Sequence, residues 1–277
     1  MPASSANLGP GFDAVALALA LYVEVEVTPA PRLSLATTGE GAGLFDAEAH
    51  LAARVVREVL GHDRVAVRVH SEIPLSRGLG SSAALALAAA AAAGAPDPLG
   101  VAVAVDGHVE NAAASWRGGL VAARPGPAGV DVVDLDLDDQ WRFVVVIPTT
   151  ELATARARGA LPAQVDRADA VANLAALAFL LAGLGDVQRW RPGAMDDRLH
   201  QPYRAALFPD ADRILAILRA AGARGACWSG AGTTMLGLAA APDAPGVAAA
   251  ATRELVRAGI EARVEMLRAD RAGLVVR

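Results

Sequence analysis

From Ile73 to Ala84 the chain reads Ile-Pro-Leu-Ser-Arg-Gly-Leu-Gly-Ser-Ser-Ala-Ala, an apolar approach followed by two glycines, two hydroxyls and a run of small residues. Glycine lets a backbone approach a ligand closely, and the first turn of a helix presents unpaired N–H groups with partial positive charge. A strand, such a loop and then a helix make a natural phosphate cradle. Ser81 or Ser82 could cap the helix, contact phosphate or hold Mg2+. An ordinary capped helix start would leave the same trace, and the spacing differs from the Walker A and dinucleotide patterns.

All 25 basic residues are arginine. The absence of lysine excludes a Schiff base, a Walker-A phosphate lysine and a strand lysine of the protein-kinase kind. The net charge of −5, with no Lys/Arg-rich run, argues against a nucleic-acid surface. The single Cys227 cannot form an internal disulfide, which suits a reducing cytoplasm. The best candidate for a membrane span, Ala83 to Ala93, is shorter than the roughly 20 apolar residues required. No basic leader precedes a cleavable apolar core. A cytoplasmic protein with no membrane partner is expected.

The elements that must position this chemistry can be read from periodicity and breakers. Strands are expected at Leu19–Val27, Arg64–His70, Phe143–Ile147 and Met235–Leu238. Helices are expected at Ser81–Ala93, stopped by Gly94, Pro96 and Pro98, and from Leu99 to just before Asp106. Three more fall around Ala168–Leu184, Ala211–Ala221 and Val247–Ala258, with two short strands after the last. Asp131 to Asp138 alternates acidic and apolar residues, so its carboxylates should line the wet face of a strand. Strands and helices interleave without a regular βαβ rhythm, which favours α+β. The domain change is placed near Trp141, giving units 1–140 and 141–277.

Read as a whole, the segment around Gly78-Leu79-Gly80-Ser81-Ser82-Ala83 resembles the second motif of the GHMP kinases, their ATP-phosphate loop. Pro2-Ala3-Ser4-Ser5-Ala6-Asn7-Leu8-Gly9-Pro10-Gly11-Phe12-Asp13 resembles the first motif in its homoserine-kinase form. The glycine-rich stretch from Gly222 to Gly232 resembles the third. Three further segments resemble the homoserine kinases: Asp106-Gly107-His108-Val109-Glu110-Asn111 with Gly118-Gly119, Thr154 to Pro162, and Asp197 to Arg204. The matches run in order over nearly the entire chain.

The resemblance implies a two-domain α+β fold, ribosomal-S5-like then ferredoxin-like, with the active site between the halves. It implies direct phosphoryl transfer from ATP, with Mg2+, to the side-chain hydroxyl of L-homoserine, a step of threonine biosynthesis, in a possible homodimer. ATP-binding residues would be Pro74, Arg77, Gly78, Leu79 and Gly80, then Ser81, Ser82 and Ala83, with Gly230 and Gly232 from the third motif. Ser82 and Asp106 would hold the metal. Arg158 and Arg204 would take the substrate carboxylate, for which two parallel charge-assisted hydrogen bonds are well shaped. Asp13 would face the ammonium, and Asn7, His108, Asn111 and Thr154 match other substrate positions. Asn7, Asp13 and Thr154 are the catalytic candidates, without a dedicated strong base.

Several positions depart from the family pattern. Asp106 replaces Glu, Glu110 replaces Asp, Val109 replaces Pro, Thr233-Thr234 replace Pro-Ser, and His50 stands at an adenine-side Asn position. The first motif begins at Pro2, without the strand expected before it. The alternatives are a GHMP kinase for another hydroxylated metabolite, or a weakened homologue that only binds nucleotide or amino acid.

Overall fold

The computed structural model describes residues 1–277. In its first half the chain runs β1 (Pro2–Asn7), β2 (Gly11–Pro29), β3 (Ser34–Gly39), α1 (Leu51–Leu60), β4 (Val65–Ser71) and α2 (Ser81–Ala92). Then follow α3 (Pro98–Asp106), α4 (Val109–Arg117), β5 (Leu120–Gly126) and β6 (Gly129–Leu135). The second half holds β7 (Trp141–Pro148), α5 (Thr154–Gly159), α6 (Arg167–Gly185), α7 (Gln201–Arg204), α8 (Ala211–Ala220), β8 (Gly225–Trp228), β9 (Met235–Ala240), α9 (Ala244–Ala258) and β10 (Ala262–Leu267).

Two sheets result. The first has the order β3-β4-β2-β5-β6, with β1 also paired to β2, and only β3 and β4 run parallel. The second is antiparallel in the order β10-β7-β9-β8, with helices between β7 and β8 and between β9 and β10, the ferredoxin-like arrangement. The α+β expectation holds.

The continuous apolar run of β7 has a simple cause, since both faces of the strand are covered. Phe143, Val145 and Ile147 enter the core shared with the first half, while Val144 and Val146 enter the core beneath α8 and α9. Helix α2 is alanine-rich and buried from Ala83 to Ala90 except at Leu85, so it needs no polar face and lets α1, α3 and α4 pack closely. This deep seat fixes the end of the helix that meets the phosphate loop.

The structure corrects some expectations. The first half of the first motif, Pro2–Asn7, is itself a strand, β1, paired along β2 and wholly buried. Only one strand follows α9; the second reduces to a single bridge between Leu19 and Ala269. β6 ends at Leu135, its Asp131 and Asp134 pairing outward with Arg124 and Arg117. The helix long and apolar enough to cross a membrane is α6, not Ala83–Ala93, with a mean hydropathy of 1.7. Its Leu180 and Leu184 pack into the core with Phe143, and Asn173 donates to the Pro10 carbonyl at 2.8 Å.

Candidate active site

Gly80 stands at the N-cap of α2 with φ +64°, and no side chain caps that end. The Ser81 and Ser82 hydroxyls therefore do not serve as caps, and the first-turn N–H groups open onto a cleft. The loop is held from three sides. Ser4 N–H of β1 donates to the Leu79 carbonyl at 3.1 Å, Ser229 Oγ donates to the Gly78 carbonyl at 2.7 Å, and Thr234 N–H donates to the Arg77 carbonyl at 3.1 Å. A Cβ on Gly80 would collide with Ser4 Oγ, and one on Gly78 with the Ser229 carbonyl. The glycines are thus required by packing as well as by any ligand.

Arg77 turns its guanidinium away from the loop. It donates to the carbonyls of Pro148 (2.9 Å), Leu75 (2.8 Å) and Thr149 (2.7 Å) and pairs with Glu151. Its side chain ties the loop to the end of β7, which leaves only its backbone for phosphate.

The opposite wall comes from the junction of α3 and α4. Gly107, at φ +75°, ends α3 and His108 starts α4, which brings Asp106, His108, Glu110 and Asn111 to the cleft. His108 Nδ1 donates to Asp106 at 2.9 Å, and this bond raises the imidazole pKa. Glu110 is buried, and burial raises its carboxyl pKa. Asn111 Oδ1 accepts from Ser4 Oγ at 2.9 Å, which turns its amide nitrogen toward Glu110.

The two arginines, 46 positions apart, do reach the same cleft. Arg158 and Asp13 face each other in a two-pronged pair of 3.0 and 2.9 Å, so the groups expected to share a zwitterion neutralise one another. Asp13 is placed by its own N–H, which donates to Asn7 Oδ1 at 3.0 Å. Arg204 is only 2% exposed and donates through Nη1 to His200 Nδ1 (2.9 Å) and the Gly230 carbonyl (3.1 Å). Burial lowers its pKa to about 10, which leaves it charged at neutral pH. Asn7 Nδ2 donates to the same Gly230 carbonyl at 2.9 Å.

These groups line one open cleft. Every expected site residue is among them except Pro74, which is buried under the loop, and Gly232, which packs on the Trp228 ring. Ser76, Glu110 and Ala231 also line it, though sequence reasoning gave them no role. Glu110 was visible only as a departure from the family pattern. The non-glycine residues with positive φ are Asn7, Leu8, Asp13 and Ser76, so backbone strain concentrates around this cleft. His50, by contrast, caps α1 through Nδ1 and does not line it.

Two family models match the chain, GHMP kinases N terminal domain over residues 44–119 and GHMP kinases C terminal over residues 172–258. A homoserine kinase of Microchaete diplosiphon is 38% identical across 99% of this chain and 94% of its own. The chain belongs to the homoserine kinase branch of the GHMP kinases. A homoserine kinase of Moorella thermoacetica is 37% identical across 100% of this chain and 98% of its own. The crystal structure of the homoserine kinase from Cytophaga hutchinsonii superimposes with a TM-score of 0.84 at 27% identity, covering 98% of this chain and 94% of that one. In this GHMP kinase the second and third motifs touch directly, through the Ser229 and Gly78 contact, and the first motif supplies the strand beneath both.

Proposed function

We propose that the chain transfers the γ-phosphoryl group of ATP to the side-chain hydroxyl of L-homoserine, yielding O-phospho-L-homoserine and ADP. The observation that carries this reading is a single cleft with a helix N-terminus and free hydroxyls at one end and two arginines with a carboxylate at the other. The first end suits a polyphosphate. The second suits an amino acid, because a guanidinium fork matches a carboxylate and an acidic side chain matches an ammonium.

Residues 1–140 then contribute the phosphate loop, Asn7, Asp13 and the α3–α4 wall, while residues 141–277 contribute Thr154, both arginines and Gly230. The substrate enters by interleaving with the Arg158–Asp13 pair, exchanging an internal ion pair for two external ones. Asn7 has both ends of its amide engaged, so it builds the site by fixing Asp13 and Gly230. Thr154 forms no hydrogen bond through its hydroxyl and stands at the start of α5, where it can orient the attacking oxygen. Both oxygens of Asp13 are engaged by Arg158. Phosphoryl transfer asks mainly for positioning and charge neutralisation, so the hydroxyl proton can pass to an oxygen of the transferred phosphoryl group as the new P–O bond forms and the bond to ADP breaks.

Ser82 and Asp106 offer a hydroxyl and a carboxylate on the same cleft, hard oxygen donors of the kind Mg2+ accepts beside phosphate and water. When bound there, the ion would neutralise charge on the phosphates. The test is ADP release against homoserine, mevalonate, galactose and shikimate. Homoserine should be turned over far faster than the other three; a preference for any of them would end the substrate assignment.

A further inference from the structure

Arg204 cannot act as a carboxylate reader unless something holds its guanidinium in a fixed plane, and the chain supplies that holder from α7's own start. His200 is fully buried and does not itself line the cleft, which it reaches only through Arg204. Its ring is bonded at both nitrogens. Nε2 lies 2.9 Å from the Gly9 carbonyl, which can only accept, so Nε2 carries the proton. Nδ1 lies 2.9 Å from Arg204 Nη1, which can only donate, so Nδ1 presents its lone pair. Both partners dictate the same neutral tautomer. Asp197, the nearest carboxylate, is occupied with the backbone N–H groups of Leu199, His200 and Gln201. Phe12 stacks on the imidazole at 5.0 Å and lies under the guanidinium at 5.4 Å, which fixes both planes.

The guanidinium is thereby clamped on one side. Nη1 is held by His200 and Gly230, Nε leans on the Ala157 carbonyl at 3.4 Å, and Nη2 forms no hydrogen bond within the chain. We propose that His200 is a positioning residue, a neutral imidazole that accepts from Arg204 and leaves Nη2 as the prong offered to the substrate carboxylate. Any buried imidazole must satisfy both nitrogens, and here one of the two partners is the charged guanidinium of a residue that lines the cleft. Here the ring links the turn of the first motif, through Gly9, to the substrate arginine of α7. The inference rests on the homoserine reading above.

Two variants separate the roles of the nitrogens. His200→Gln can keep a donor toward Gly9 but loses the acceptor at Nδ1, whereas His200→Asn keeps an acceptor at that position. Losing a hydrogen bond to a charged group predicts a rise of about ten- to a hundredfold in the homoserine KM of His200→Gln. The KM for ATP should stay within about twofold, since the phosphate loop shares no bond with the ring. His200→Asn should largely restore homoserine affinity, and His200→Gln should add nothing in an Arg204→Ala background. An unchanged homoserine KM in His200→Gln, or an effect additive with Arg204→Ala, would overturn the inference while leaving the substrate reading intact. Should Arg204→Ala itself keep homoserine affinity, the substrate reading falls and takes this inference with it. Nitrogen-15 NMR of the unaltered enzyme gives an answer that does not depend on how the variants fold. The Nε2–H tautomer at neutral pH supports the proposal, and a proton on Nδ1 refutes it.

Discussion

At the scale of single residues, the two substrate arginines should not be equivalent. Arg204 is buried with partners on one side, so Arg204→Ala should cost about 2–5 kcal/mol of homoserine binding, as for broken buried charge pairs. Arg158 is half exposed and already balanced by Asp13, so Arg158→Ala should cost closer to about 1 kcal/mol. Lysine at either position should restore only part of the loss, because an ammonium lacks the planar fork. Steady-state kinetics with homoserine and ATP varied in turn gives the ranking. His200 adds a pH dependence. Its pKa is lowered from 6.5 to about 4 by burial and by the Arg204 charge, against the opposing pull of Asp197, the Gly9 carbonyl and Asp13. The unfolded chain binds the proton near pH 6.5 and the folded chain only near 4. Stability is therefore present above that window and declines as pH falls through it, by about 3 kcal/mol in all. Urea unfolding at pH 7 and pH 4 should show a smaller decline in His200→Gln than in the unaltered chain. The residue types of the site were legible, because arginine, carboxylate and hydroxyl announce their chemistry. The Arg158–Asp13 pair was not, because 145 positions separate its members and no local pattern encodes it.

At the scale of elements, the phosphate loop is less free than its glycines suggest. A Gly80→Val variant does not test ATP binding alone, because its side chain would strike Ser4 of buried β1 and approach Asn111. The variant should lose stability and homoserine binding together with ATP binding, as a melting curve would reveal. Ser82→Ala is the cleaner probe. Its hydroxyl caps nothing, so the melting temperature should hold while the KM for Mg-ATP rises or turnover falls. Helix α2 and its stop at Gly94 were readable from alanine content and breakers. β1 was not, because Ser4, Ser5 and Asn7 look like turn residues. They are buried polar groups satisfied by Asn111, Ser229 and Gly230, partners between 107 and 224 positions away.

For the whole molecule, β7 decides cooperativity. One face of it belongs to a core of 39 buried residues that draws on both sheets, so the two halves should melt in a single transition. Phe143→Ala should lower stability by about 3–5 kcal/mol without splitting that transition. Cys227, in the same core, reports on it. Burial holds its thiol up, so alkylation should follow the global unfolding curve measured by fluorescence. The ferredoxin-like half was foreseeable from family resemblance, whereas its strand order came only from long-range pairing.

Gly230 brings the three motifs of this kinase to a common reference point. The Gly230 oxygen accepts from Asn7 of the first motif and from Arg204 of α7, while Gly230 N–H donates to Ala6 and its loop touches Gly78 of the second. A carbonyl carbon labelled with carbon-13 at Gly230 is therefore a built-in spectroscopic reporter. Its resonance should move when homoserine draws on Arg204, when nucleotide settles against Gly78, and by a different amount when both are present, so the order of substrate binding could be read from a single atom.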